Sequence, residues 1–163
     1  MLTSAMYQGD PEGVHAKSLG HPRRRMAQSR TTTILDYGER VRCALSINRD
    51  QAFGRRHQAC DFLIGGSAGA AYLQLGLNLN YPEGEADTLE IYPRSGTQWV
   101  AVALSGGWFP DAFAGRMANL QRFAAGEDAV LVSSVEDAWK TMALVEALYQ
   151  SSAAPSTPIA KAP

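Results

Sequence analysis

Cysteine is scarce in this sequence: Cys43 and Cys60 are the only two in 163 residues. Two are too few for a disulfide scaffold, and a chain of this length can bury a core without one. Both lie in apolar runs and read as small buried hydrophobes, with an accidental bridge or a redox role as the alternative. Charge of one sign is also lacking. With 15 basic against 16 acidic side chains and a formal net charge of -1, the chain has no basic surplus to neutralise phosphates, so nucleic acid is not an expected partner. Nor is a membrane. The longest uncharged stretch, residues 62–82, is broken by Gly65, Gly66, Gly69, Gln74, Asn78, Asn80 and Pro82, which marks a hairpin and loop and not a spanning helix. The N-terminus shows no basic segment followed by an apolar one, so the expected location is cytoplasmic.

Motifs for several common chemistries are missing as well. There is no G-x-x-x-x-G-K-[ST] loop, no G-x-S-x-G elbow and no pair of histidines at ligand spacing, and no metal site is expected from Cys43, Cys60 and His57. The glycine run at Gly65, Gly66 and Gly69 has the order G-G-x-x-G, and residues 70–75 after it read as a strand. A pyrophosphate needs a helix N-terminus at that place, so the run is read as a turn.

The chain does have a globular composition, 45% hydrophobic and 19% charged, and a length for one domain or slightly more. A turn-rich segment over residues 1–13 precedes the first strand, predicted at 14–19. β-Branched and aromatic residues from Thr31 to Tyr37 and again over 41–47 predict a hairpin. Further strands are predicted at 59–64, 70–75, 88–92 and 99–104, with connections short enough to favour antiparallel pairing. Two helices come next. The first opens at Asp111 behind Pro110, carries Phe113, Met117, Leu120 and Ala124 as a packing stripe, and stops at Gly126. The second opens on a Ser133–Glu136 capping box and carries Val135, Ala138, Met142, Val145 and Tyr149 on one face. A flexible tail is expected over 153–163. Strands and helices in separate blocks give an α+β fold: an open, mostly antiparallel sheet with both helices on one face.

Three groups of polar residues are candidates for chemistry. Between His15 and Arg30 there is no acidic residue, while Lys17, Arg23, Arg24, Arg25 and Arg30 supply positive charge, read as a solvated loop or as a site for an anion. The set Asn48, Arg49, Asp50, Arg55, Arg56, His57 and Gln58 is expected at one end of the sheet. Its amides and guanidinium forks suit hydroxyls and carboxylates of a small polar ligand. Arg116 and Asn119 share a helix face and point into a pocket or into water.

The order of the C-terminal segments resembles a known family. Trp108-Phe109-Pro110-Asp111-Ala112-Phe113, Met117-Ala118-Asn119-Leu120, Gly126-Glu127-Asp128, Ser133-Ser134-Val135-Glu136-Asp137-Ala138 and Leu144-Val145-Glu146-Ala147-Leu148-Tyr149 succeed one another as at the end of Gfo/Idh/MocA-type NAD(P)-dependent oxidoreductases. Ile64-Gly65-Gly66-Ser67-Ala68-Gly69 resembles a turn of the same family's C-terminal sheet domain, and the resemblance covers residues 14–152.

The resemblance implies a C-terminal α+β domain that forms one wall of a sugar or polyol site and most of an oligomer interface, with NAD or NADP held by a separate Rossmann domain. The family's Glu-Lys-Pro segment and Asp-x-x-x-His motif are not found, and Asp10 and His15 are five apart and not four. No catalytic or cofactor-binding residue is therefore carried over, and the chain alone is expected to bind no cofactor. His57, Gln58, Arg116 and Asn119 are the expected substrate contacts. The implied partners are a second copy through the open sheet face, a separate Rossmann subunit or domain, and a polyhydroxylated small molecule. The alternative is a standalone, non-catalytic module that dimerises or binds a small ligand and docks on another subunit. A third option is an independent enzyme using His57 with a carboxylate such as Asp50.

Overall fold

The computed structural model describes residues 9–20, 28–50 and 54–159. Arg23, Arg24 and Arg25, most of the N-terminal turn segment and the end of the expected tail lie outside the described residues. Seven strands come first: β1 (Gly13–Gly20), β2 (Gln28–Asp36), β3 (Arg42–Asn48), β4 (Asp61–Gly66), β5 (Gly69–Gln74), β6 (Thr88–Pro93) and β7 (Val100–Val102). Two helices complete the chain, α1 (Asp111–Ala124) and α2 (Val135–Ala153). Every strand pair is antiparallel, as the short connections predict. The α+β class holds, but the strands divide between two sheets, ordered β1-β2-β3 and β4-β5-β6-β7, and neither closes into a barrel among the described residues. The chain forms two compact units accordingly: Met1–Ala52 with Ser134–Pro163, and Phe53–Ser133.

In the first unit β2 is the central strand, and its run of threonines and Ile34 suits a pleated, half-buried surface. The register places Val14, Ala16 and Ser18 of β1 beside Leu35, Thr33 and Thr31 of β2 on one face. That face holds the core: Ala16, Leu35, Thr33 and the following Tyr37 are buried. Helix α2 packs against β1, with Leu144, Val145, Ala147 and Leu148 half-buried. Its last turn also covers the strand's outer edge. Ser151 Oγ accepts the Ala16 N–H at 2.9 Å, Ser152 Oγ accepts the Ser18 N–H at 2.9 Å, and Lys17 Nζ donates to the Ser152 carbonyl at 3.1 Å. An edge strand with unpaired N–H groups is thereby closed, and the lysine charge sits where the helix dipole is negative.

Two expectations for α2 are corrected here. Its cap is Ser134 and not Ser133, because Ser134 holds the extended backbone of an N-cap and its hydroxyl accepts the Asp137 N–H at 3.3 Å. The stripe expected to pack also lies largely outside: Val135 is 80% exposed, Met142 and Tyr149 are exposed too, and the neighbouring Trp139 is 72% exposed. Apolar residues lie on two sides of this helix, and β1 takes the side carrying Leu144 and Leu148. Periodicity does not choose between two such stripes.

In the second unit, Ser67 and Ala68 form a two-residue turn between β4 and β5, and Gly69 takes φ 149° as the chain re-enters the sheet. Helix α1 begins one position away from the expected cap. Pro110 holds the cap position in helical geometry, and the Asp111 carboxylate accepts the Gly107 N–H at 2.7 Å. The end is as expected. Gly126, at φ 77°, donates to the Phe123 carbonyl and Glu127 to the Arg122 carbonyl, the paired bonds of a Schellman motif. The apolar stripe is again open: Phe113 is 57% and Met117 56% exposed. Among the described residues this unit has no fully buried large apolar side chain.

Candidate functional site

The expected polar cluster at residues 48–58 is divided by the boundary between the units. Asp50 belongs to the first, where its Oδ2 accepts the buried Ser29 hydroxyl at 2.5 Å and lies 3.3 Å from Arg30 Nε. Arg55, Arg56, His57 and Gln58 belong to the second. Asp50 and His57 are thus positioned by different units.

Within the second unit the expected contact residues have distinct settings. His57 is exposed at the end of a single 3-10 turn, Arg55–His57. Gln58 is half-buried, and its side-chain N–H donates to the Gly54 carbonyl at 3.0 Å. The turn is tied down by Arg55, whose guanidinium grips both carboxylate oxygens of Glu85, the Nε contact being 2.7 Å. That hydrogen bond holds the Glu85 carboxyl below its ordinary range and raises the Arg55 guanidinium. Arg116 is exposed on α1 and has no ion pair or hydrogen bond among the described residues. Asn119, on the same helix, is buried. Its Nδ2 donates to Asp128 Oδ2 at 2.8 Å and to the Val130 carbonyl at 3.0 Å, and its Oδ1 accepts the Val132 N–H at 2.9 Å.

Asp128 sits at the centre of this tie. Its hydrogen bonds from Arg122 and then from Asn119 hold its carboxyl below the ordinary range. A carboxyl lowered in the folded state adds stability above its unfolded pKa and loses it as pH falls through the folded value. The second unit is therefore expected to melt progressively lower as pH is taken from about 5 to below the aspartate range, and Asp128→Asn to flatten that dependence. Thermal melts of both proteins across this window check it, and parallel curves would count against the tie.

Strand register separates the two faces of β5. On one face lie Phe62, Ile64, Leu73, Ala71, Leu89, Ile91, Val102 and Val100, all apolar. On the other, Asp61, Gln74 and Thr88 form one row and Leu63, Tyr72 and Glu90 the next. The Tyr72 hydroxyl donates to Asp61 Oδ2 at 3.1 Å, and that bond raises the phenol pKa. Carboxylates, an amide, a phenol and a hydroxyl side by side offer both acceptors and donors, the set that hydroxyl groups of a polar ligand use. The signal for this face was present in the alternation of Tyr72 and Gln74 with Ala71 and Leu73, but strand pairing was needed to read it.

Among the described residues a dinucleotide finds no comparable fit. Strand β5 comes directly after the glycine-rich turn, and the two helix N-termini carry Asp111, and Glu136 with Asp137, which repel a phosphate. Among the described residues no group of three or more His, Cys, Asp or Glu could hold a metal ion. No helix among them is long and apolar enough to cross a membrane.

No protein-family model and no curated protein matches the chain. Its fold is similar to that of solved structures. One is the Bacillus subtilis protein YvaA, described as an oxidoreductase, with TM-score 0.59 and 17% identity over 92% of this chain and 46% of that one. Another is an oxidoreductase from Agrobacterium radiobacter in complex with NAD+, L-tartaric acid and magnesium, with TM-score 0.61 and 20% identity over 92% of this chain and 43% of that one. The chain spans less than half the length of these two proteins, and what it shares with them is the fold of that part.

Proposed function

We propose that this chain is the substrate-side and assembly portion of a Gfo/Idh/MocA-type sugar or polyol oxidoreductase whose NAD(P) site is supplied by a nucleotide domain outside these residues. The observation that carries the reading is the fold likeness, which takes in 92% of this chain and under half of two oxidoreductases. Hydride transfer needs the nicotinamide held about 3 to 3.5 Å from the reacting carbon, for which the two antiparallel sheets and two helices with acidic N-termini among the described residues offer no evident cradle. The L-tartaric acid in the Agrobacterium protein is a hydroxylated acid, consistent with a polyhydroxylated ligand here. The polar sheet face with Asp61, Tyr72, Gln74 and Glu90 offers hydrogen bonds to such a molecule, with His57, Gln58 and Arg116 as further contacts. The apolar face and the open stripe of α1 are surfaces for the nucleotide domain or a second copy, since exposed apolar patches of this kind mark partners.

Calorimetry with NAD and NADP, each titrated into the purified chain at low salt, tests the division of labour. No saturable heat is expected from either. Stoichiometric, saturable binding of either nucleotide would overturn the reading and require a direct dehydrogenase assay.

A further inference from the structure

The two edges of the three-stranded sheet are treated differently by the fold. The β1 edge is closed by the serines of α2, whereas β3 is, among the described residues, a terminal strand with every residue exposed except the half-buried Cys43. Its hydrogen-bonding parity is set by one contact. The Arg49 N–H donates to the Ser29 carbonyl at 2.9 Å in the same register that pairs Asn48 with Arg30. Cys43, Leu45 and Ile47 therefore turn their backbone groups to β2, and Arg42, Ala44, Ser46 and Asn48 turn theirs outward. Usual edge protection is missing: the strand has no proline and no lysine, and its one charge, Arg42, pairs with Asp36 at 2.8 Å.

We propose that this edge pairs with β3 of a second copy, antiparallel about a two-fold axis at Leu45, to make a continuous six-stranded sheet. The strand is self-complementary in that register. Ala44 meets the second copy's Ser46 and Arg42 meets its Asn48 as hydrogen-bonded pairs, so all the outward groups find partners. Leu45 faces its own counterpart and Cys43 faces Ile47, and no like charges oppose one another. Leu45 and Ile47, now 37% and 40% exposed, gain apolar neighbours on the face that already holds Leu35 and Ala16. Symmetry favours a second copy over an unrelated strand, since a two-fold interface requires each residue pair to be compatible with its reverse. The interface is distinct from the apolar face of the four-stranded sheet and does not depend on the oxidoreductase reading.

Light scattering and sedimentation of the purified chain are expected to give a dimer that Ala44→Pro converts to monomer. Proline there removes an outward N–H only, so the melting profile of the monomer is expected to stay cooperative. Independently of that variant, Leu45→Cys in a chain carrying Cys43→Ser and Cys60→Ser is expected to form a disulfide-linked dimer under mild oxidation. Residues opposed at a non-hydrogen-bonded site lie about 4.5 Å apart at Cα, within bridging range. A monomeric wild-type chain, a dimer that survives Ala44→Pro, or absent cross-linking of the Leu45→Cys chain would overturn the proposal. A dimer that survives Ala44→Pro but is lost on Ile91→Lys would retain assembly through the apolar face of the four-stranded sheet and reject this edge.

Discussion

Gly76→Ala is expected to be among the most damaging single substitutions in the second unit, costing about 3 kcal/mol or more. A Cβ at this position would lie 1.7 Å from the Glu85 carbonyl oxygen and 2.5 Å from its carbon, both backbone atoms that no rotamer can move aside. Relief requires the 85–87 segment to retreat, and a set of hydrogen bonds goes with it. Asp87 receives the Gly76 N–H at 2.7 Å and the Trp108 N–H at 2.6 Å, while Trp108 Nε1 donates to the Gly76 carbonyl at 2.7 Å. The two bonds to the Asp87 carboxylate are charge-assisted, a kind roughly twice as strong as neutral ones, and stranded partners add their desolvation cost. Gly115→Ala is the control: its Cβ meets nothing within 4 Å inside α1, and it is expected to stabilise by about 0.5–1 kcal/mol. Urea titrations followed by tryptophan fluorescence read both, since Trp99 and Trp108 lie in the second unit and Trp139 in the first. Equal midpoints for the two variants would show that the close approach carries no weight.

The strands were legible because their signals are local. Thr31 to Tyr37, the Ser67-Ala68 turn and the Thr88 to Tyr92 run each declare a strand or its end through residue type alone, and all seven strands form within a few residues of expectation. Helix ends were legible to within a position. Ser133 and Ser134 are both competent caps, and only the backbone geometry at Ser134 decides between them. The features that stayed hidden depend on groups distant in sequence. Whether Val135 and Trp139 or Leu144 and Leu148 face inward depends on where β1 lies, and β1 begins more than a hundred residues earlier. The division of the 48–58 cluster between two units is hidden for the same reason: nothing in those residues records that two sheets are forming on either side. The polar face of the four-stranded sheet needed the β5–β6 register before Tyr72 could be set beside Glu90.

Asn119 is the residue whose sequence pattern and structural setting pull furthest apart, and replacing it separates them. On α1 it lies three positions after Arg116 and reads as a ligand contact, but its amide spends both hydrogens and its oxygen on residues 128–132. Those bonds fasten the segment leaving α1 to the helix itself, beside the Arg122–Asp128 pair at 3.0 Å. Asn119→Ala leaves the Val130 carbonyl and the Val132 N–H without their partner, and a loss of about 2–4 kcal/mol is expected, at about 1 kcal/mol or more for each broken bond or stranded group. Hydrogen exchange localises the effect: the Val132 amide is expected to lose protection far more than the amides of β5. Arg116→Ala, one turn away and without a protein partner among the described residues, is expected to leave both stability and exchange within about 0.5 kcal/mol of the parent. If Asn119→Ala instead melts with the parent and Val132 stays protected, the amide is free for other work, and its place among the substrate contacts is restored.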